Sequence, residues 1–146
     1  MIYIAHRGNI DKKNVELENN PDYIKNALRK GFDAEIDVWH RNKLYLGHDE
    51  PQHECSLDFL QKHSSRLWIH CKNLEALENL IKFKFLNVFW HENDDFTLTS
   101  KGYIWTYPGK SLTKNSIAVM PEIKKFQNLE SCFGICSDFI STYLKN

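Results

Sequence analysis

The feature that most constrains this fold is a recurrence of short apolar, β-branched and aromatic runs along the whole chain. Eight read as strands: Ile2–His6, Phe32–Val38, Lys43–Gly47, Arg66–Cys71, Asn87–Trp90, Tyr103–Thr106, Ile117–Met120 and Cys132–Cys136. Helical stretches stand between several of them. In "NNPDYIKNALRKG", Asn20 suits the N-cap, Pro21 the first helical position and Asp22 the positive end of the dipole. Ile24, Ala27 and Leu28 make its apolar face, and Gly31 suits the stop. "SLDFLQKHSS" opens at Ser56 in the same way. "NLEALENLIKFK" carries Leu74, Leu77 and Ile81 on one face, and "SDFISTYLKN" reads as a last helix.

Strand alternating with helix argues for parallel βαβ units. Eight strands in that rhythm predict a barrel, and no glycine-rich phosphate loop favours an open α/β sheet instead. An ordinary (β/α)8 barrel takes about 250 residues; this chain has 146. The expectation is a reduced (β/α)8 TIM-type barrel, one domain over 1–146, with several helices shortened or missing. "HENDDFTLTSKG" and "YPGKSLTKNS" read as such reductions.

Composition narrows the function. Nineteen Lys and Arg offset nineteen Asp and Glu, so neither nucleic acid nor an anionic membrane is the expected partner. No run approaches the roughly 18 apolar residues of a transmembrane helix. The opening "MIYIAHRG" has no basic leader, and a cytoplasmic protein is expected. The four cysteines form no CxxC pair. Cys132 and Cys136 have weak zinc spacing without a second pair, so buried reduced thiols are expected.

Polar residues gather at the carboxyl ends of the predicted strands, the end that carries the site in a barrel. His6 and Arg7 close the first, a proton carrier beside a guanidinium that can fork onto phosphate. In "AEIDV", Glu35 and Asp37 share a strand face, about 6.6 Å apart at the backbone. Two such carboxylates repel unless a cation lies between them, and a divalent metal is the simple candidate. His48 follows Leu44 and Leu46 by period two and so ends on their face, a possible acid to match a base. In "LWIHCKN", Trp68, His70 and Lys72 share one face and Leu67, Ile69 and Cys71 the other; an inward Lys72 needs an anion. Two histidines for proton transfer, two carboxylates for a metal and two cations for an anion fit phosphodiester cleavage. The four tryptophans read mainly as packing, with Trp105 and Tyr107 able to shape a pocket. His40, His53, His63 and His91 read as surface or loop residues.

In order and spacing over residues 1–51, "AHRG", "LENN", "GFDAEIDV" and "GHDEP" resemble the motifs of the glycerophosphodiester phosphodiesterase family, within the phosphatidylinositol-phospholipase-C-like superfamily. Beyond residue 51 the similarity thins: "LWIHCKN" matches a Glu-x-Lys strand, "YIWTYP" a late Trp-Thr segment and "GICSDFI" the last strand. The resemblance implies a hydrolase of lipid metabolism with His6 and His48 as the acid/base pair. It implies Arg7 and Lys72 as phosphate binders, Glu35 and Asp37 as metal ligands, and Glu18 and Trp105 as supporting residues. The substrate implied is a glycerophosphodiester or a related small phosphodiester, the cofactor one magnesium, calcium or manganese ion. Two positions depart from the pattern: Asn20 stands for threonine, and His70 for the third metal carboxylate. An imidazole shifts the preference toward softer metals. His70 then ligates such a metal, or Glu92 or Glu122 replaces the lost carboxylate, or the site has lost metal and activity. The other functions this leaves open are a catalytically silent barrel that binds a phosphorylated ligand, and phospholipase-D-like cleavage of a lysolipid.

Overall fold

Local signals set the helices. The computed structural model describes residues 1–144 and places α1 at Pro21–Arg29, α2 at Leu57–Lys62 and α3 at Leu74–Leu80. The Asn20 side chain accepts the amides of Asp22 and Tyr23, and α1 buries Ile24, Ala27 and Leu28. Ser56 caps α2 through the Phe59 amide, and Asn73 caps α3 through the Ala76 amide. In α3 the expected face is corrected at its two ends. Ala76 and Leu80 face the core and Leu77 packs against it, while Leu74 is 68% and Ile81 39% exposed. Leu74 lies two residues before Ala76, more than half a turn round the helix. The last predicted helix is a 3₁₀ turn at Ile140–Tyr143, and Lys145 and Asn146 lie outside the described residues. Among the described residues no helix is long and apolar enough to cross a membrane. No cysteine is bonded to another; Cys71, Cys132 and Cys136 are buried and Cys55 is half-buried.

Ten strands form one mixed sheet: β1 Ile2–His6, β2 Asp33–His40, β3 Leu44–Leu46, β4 His53–Cys55, β5 Leu67–Cys71, β6 Val88–Phe89, β7 Phe96–Leu98, β8 Ile104–Thr106, β9 Ser116–Val119 and β10 Gly134–Ser137. Seven run parallel in the order β6-β5-β2-β1-β10-β9-β8. β3 takes the edge of β2 beyond the end of β1, antiparallel, and β4 pairs outside it. β7 pairs antiparallel with β8.

The closed (β/α)8 barrel expected from the sequence does not form. The sheet is open and only three α-helices accompany it among the described residues. A strand has two edges to give, and those of β8 go to β9 and β7. No edge of β8 remains for β6. The segment "HENDDFTLTSKG" is therefore not a shortened helical crossover: it supplies the hairpin strand β7, which blocks closure.

The sheet is nevertheless strongly curled. Trp68 on β5 and Trp105 on β8 are five strand steps apart along the sheet. A flat sheet would separate them by about 24 Å, yet their ring centroids lie 6.1 Å apart. The concave face is filled by Ile4, Trp68, Phe89, Trp105, Ile117 and Cys136. On the convex face Ala34, Ile36, Val38, Leu67, Ile69 and Cys71 pack beneath the three helices. The alternation read in "LWIHCKN" thus divides β5 between two cores.

Candidate active site

The parallel strands deliver their carboxyl ends to one rim of the curled sheet, where ligands of open α/β sheets bind. A pocket of about 420 Å³ opens there. Its polar wall holds His6, Arg7, Glu35, His48, His70 and Lys72; Trp105, Val119, Met120 and Ile123 supply an apolar wall.

His6 ends β1 with Nδ1 2.7 Å from Asp138 Oδ1 and Nε2 3.8 Å from Glu35 Oε2. Asp138 follows β10, so the two chain-distant ends of neighbouring strands make this pair. A carboxylate at Nδ1 fixes the proton on that nitrogen and leaves Nε2 for the pocket. Burial lowers the His6 pKa, but Asp138 and Glu35 outweigh it and the net value is raised above 6.5. The same contact, with Asn9, holds Asp138 below the usual carboxylate range although burial pushes it upward.

Arg7 occupies the left-handed region at φ 53, a conformation that costs a non-glycine residue about 1–2 kcal/mol. Its amide donates to Glu35 Oε2 at 3.2 Å and its Nη1 to Glu18 Oε2 at 2.9 Å. Its Nε lies 3.0 Å from Asp37 Oδ2, an ion pair without hydrogen-bond alignment. Asn9 Nδ2 then joins Glu18 Oε1 at 3.0 Å to Asp138 Oδ1 at 2.8 Å. Glu18 thereby ties Arg7, through Asn9, to the Asp138–His6 pair.

Asp37 is fully buried. Asn19 brackets it, donating from Nδ2 to Oδ2 at 2.8 Å and accepting the Asp37 amide at 2.9 Å. His70 Nδ1 lies 3.1 Å and Lys72 Nζ 3.7 Å from Oδ1. Burial alone would raise the Asp37 pKa, but His70, Arg7 and Lys72 hold it far below the carboxylate range. Glu35 has the opposite balance: burial and the neighbouring Asp37 charge push its pKa up.

Ligand atoms of Glu35, Asp37 and His70 lie within 4.8 Å of one another. Two carboxylates and one imidazole suit a borderline divalent cation, and Glu35, buried with its charge disfavoured, is the donor most in need of one. The donor types fit a metal, and His70 would have to give up a contact to bind it, since its Nδ1 lies 3.1 Å from Asp37 Oδ1 and its Nε2 3.2 Å from the His91 carbonyl. Neither Glu92 nor Glu122 joins the donor set. Glu92 is exposed, and Glu122 Oε1 instead accepts Ser137 Oγ and the Asp138 amide, each at 3.0 Å.

His48 does not continue the β3 face. β3 ends at Leu46, and Gly47 turns the chain at φ 153, where a Cβ would collide with the Glu50 carbonyl. His48 is 39% exposed, with Nδ1 2.7 Å from Asp49 Oδ1. Burial, then Arg7, lower its pKa.

The site also holds two residues just past predicted strands. Asp138, the aspartate of the "GICSDFI" segment that resembles the family's last strand, lies two residues beyond Cys132–Cys136, and His91 lies one beyond Asn87–Trp90. A polar residue one or two positions past a strand's carboxyl end reaches the same rim as one at its last position. His91 lies in the loop after β6, as expected, but its side chain is largely buried rather than on the surface. Its Nε2 lies 2.5 Å from the Tyr107 hydroxyl, its ring flanks His70, and burial lowers its pKa to about 4. Asn9 and Asn19 sit in the loop after β1, where no periodicity marks a residue as buried.

Set against protein-family models, curated proteins and solved structures, the chain finds no match in any of the three.

Proposed function

We propose that the pocket hydrolyses a phosphodiester, in keeping with the motif resemblance of residues 1–51. The observation that carries this reading is His6, locked by Asp138 and facing a pocket that Arg7, Lys72 and His48 also line. Arg7 and Lys72 bind the non-bridging phosphoryl oxygens, with Arg7 oriented by Glu18 and Asp37. The two histidines have environments that push their pKa values apart, which is how an acid and a base are told from each other. His48, lowered, takes a proton from the attacking water as the new phosphorus–oxygen bond forms. His6, raised, gives its Nε2 proton to the leaving oxygen as the old bond breaks. Glu35, Asp37 and His70 would hold a divalent cation, which when bound would neutralise charge building on the phosphoryl group. Trp105 and Val119 exclude water from the far wall.

The test is hydrolysis of bis(p-nitrophenyl) phosphate and of glycerophosphocholine with magnesium, calcium, manganese or zinc. His6→Ala should lower kcat by about 10²–10⁴-fold, the usual worth of a positioned acid or base. The metal that supports turnover should also raise the melting temperature of the wild type, and less so in Glu35→Gln. Absence of turnover with every metal overturns the reading, as does turnover unaffected by His6→Ala.

A further inference from the structure

The loops that leave β8 and β9 meet beside the active pocket and enclose a second cleft of about 510 Å³. Lys110, Lys124 and Lys125 line it, with Ser111, Gln127 and Ser131 between them, and among the described residues no carboxylate does. Each of these six side chains can donate a hydrogen bond. In a chain whose charges cancel overall, this excess is local.

The cleft has built features. A Cβ at Gly109 would lie 2.5 Å from Lys124 Cδ and 2.7 Å from its Cγ, so the lysine stem is seated across bare glycine backbone. Gly109 itself adopts φ 74, where a side chain is strained. Lys110 pairs with Asp95 at 2.8 Å, and its amide donates to the Tyr107 carbonyl at 3.2 Å. Those contacts pin the first loop. Lys124 and Lys125 pair with no acid among the described residues.

The two cavities adjoin along the chain. Pro108 and Ile123 line the active pocket, and the next residues, Gly109 and Lys124, line the cleft. We propose that the cleft binds a phosphate monoester carried by the same molecule whose phosphodiester occupies the active pocket. The bridging rests on the phosphodiesterase reading; the anion site itself does not. The substrate class is then a phosphodiester with a second, terminal phosphate. The same phosphate chemistry could be met on a lipid surface, and the experiment separates the two sources.

Inorganic pyrophosphate is titrated into the full chain and followed at the amides of Gly109, Ser111 and Ser131 by NMR. These should shift and saturate in the wild type and in Arg7→Ala. In Lys124→Ala/Lys125→Ala, affinity should fall at least about tenfold, as expected for losing charge-assisted hydrogen bonds, and Lys124→Arg/Lys125→Arg should restore it. Because both lysines are exposed, these variants keep the fold, and near-identical spectra elsewhere check that. No shift at these amides, or equal affinity in the double-alanine variant, overturns the site. Sedimentation with phosphatidylglycerol vesicles that needs the two lysines, without a pyrophosphate response, assigns the anion to a lipid surface and overturns the bridging. In turnover, the double-alanine variant should raise KM for a diester bearing a terminal phosphate about tenfold more than KM for bis(p-nitrophenyl) phosphate. Equal changes overturn the bridging. If the wild type hydrolyses neither diester, the phosphodiesterase reading fails, and the pyrophosphate titration still decides the anion site.

Discussion

His6 and Asp138 are separated by 132 positions and meet at 2.7 Å. The parallel pairing of β1 with β10 brings them together. The contact sets the sign of a pH effect. The folded-state pKa of His6 is raised, so its contribution to stability is fully present below 6.5 and is lost as pH rises through the folded value. Asp138→Asn removes the charge that sustains the shift. The His6 Cε1 proton should then titrate at a lower pH than in the wild type, and the acid-side stabilisation should shrink. A proton NMR titration measures the first and urea unfolding across pH the second; an unmoved midpoint in the variant would contradict the assignment. Asn19 is a second single-residue case. Its amide satisfies both the Asp37 backbone and the Asp37 carboxylate. Asn19→Ala leaves the buried Asp37 amide without its side-chain acceptor and takes one donor from the carboxylate, which keeps His70, Arg7 and Lys72, and should cost about 1–3 kcal/mol in urea unfolding. Asn19→Asp, which keeps the acceptor for the Asp37 amide, should not rescue it, because a second carboxylate then faces Asp37.

At the scale of elements, legibility followed locality. β1 and α1 were readable to the residue: a strand closing on His-Arg, a helix opening on Asn-Pro-Asp. Even the departure at Asn20 has a local reason, since asparagine is an effective N-cap. The polar residues that end β1, β2 and β5 were readable too, because strand ends concentrate side chains in both a barrel and an open parallel sheet; His48 reaches the pocket differently, by the Gly47 turn after antiparallel β3. The pairing of edges was not readable. β4 and β7 are three residues each, with no periodicity to separate them from loop, and β7 decides whether β8 can meet β6. The α3 face failed at its ends for a similar reason. Its seven residues carry apolar side chains on more than one side, so periodicity alone could not choose between the Leu74–Leu77–Ile81 row and the Ala76–Leu80 edge. Stability measurements can choose. Leu80→Ala, at a buried position, should cost about 2–5 kcal/mol, whereas Leu74→Ser should stay within about 0.5 kcal/mol. Chemical denaturation of the two variants checks this; a reversal of the order would restore the face read from the sequence.

At the scale of the whole molecule, an open sheet that curls this far needs something other than a ladder to hold its two ends together. The β5–β6 end carries Trp68 and Phe89, and the opposite end carries Trp105. The Phe89 and Trp105 rings pack at a centroid distance of 4.7 Å, tilted by 31°, and Trp68 packs against Trp105 at 6.1 Å. Hydrogen bonds also join the ends: the Ser100 amide donates to the Val88 carbonyl at 2.8 Å, the Ser100 hydroxyl accepts the Val88 amide at 3.0 Å, and the Thr97 hydroxyl donates to the Trp90 carbonyl at 2.7 Å. The aromatic cluster and these bonds together tie the curl, and the curl makes the pocket, since His70 and His91 stand at one end of the sheet and Trp105 and Tyr107 at the other. Trp105→Ala should cost about 3–5 kcal/mol, the usual range for deleting a buried tryptophan. If the cluster also holds the ends together, amide exchange should speed up first in β6 and in the β7–β8 hairpin, ahead of β1, β2 and β10. Trp105→Phe, which keeps a ring against Phe89, should recover most of that protection. Uniform acceleration across all strands would mean that Trp105 contributes only bulk to the core, and that the hydrogen bonds at Ser100 and Thr97 are enough to hold the pocket's two walls in place.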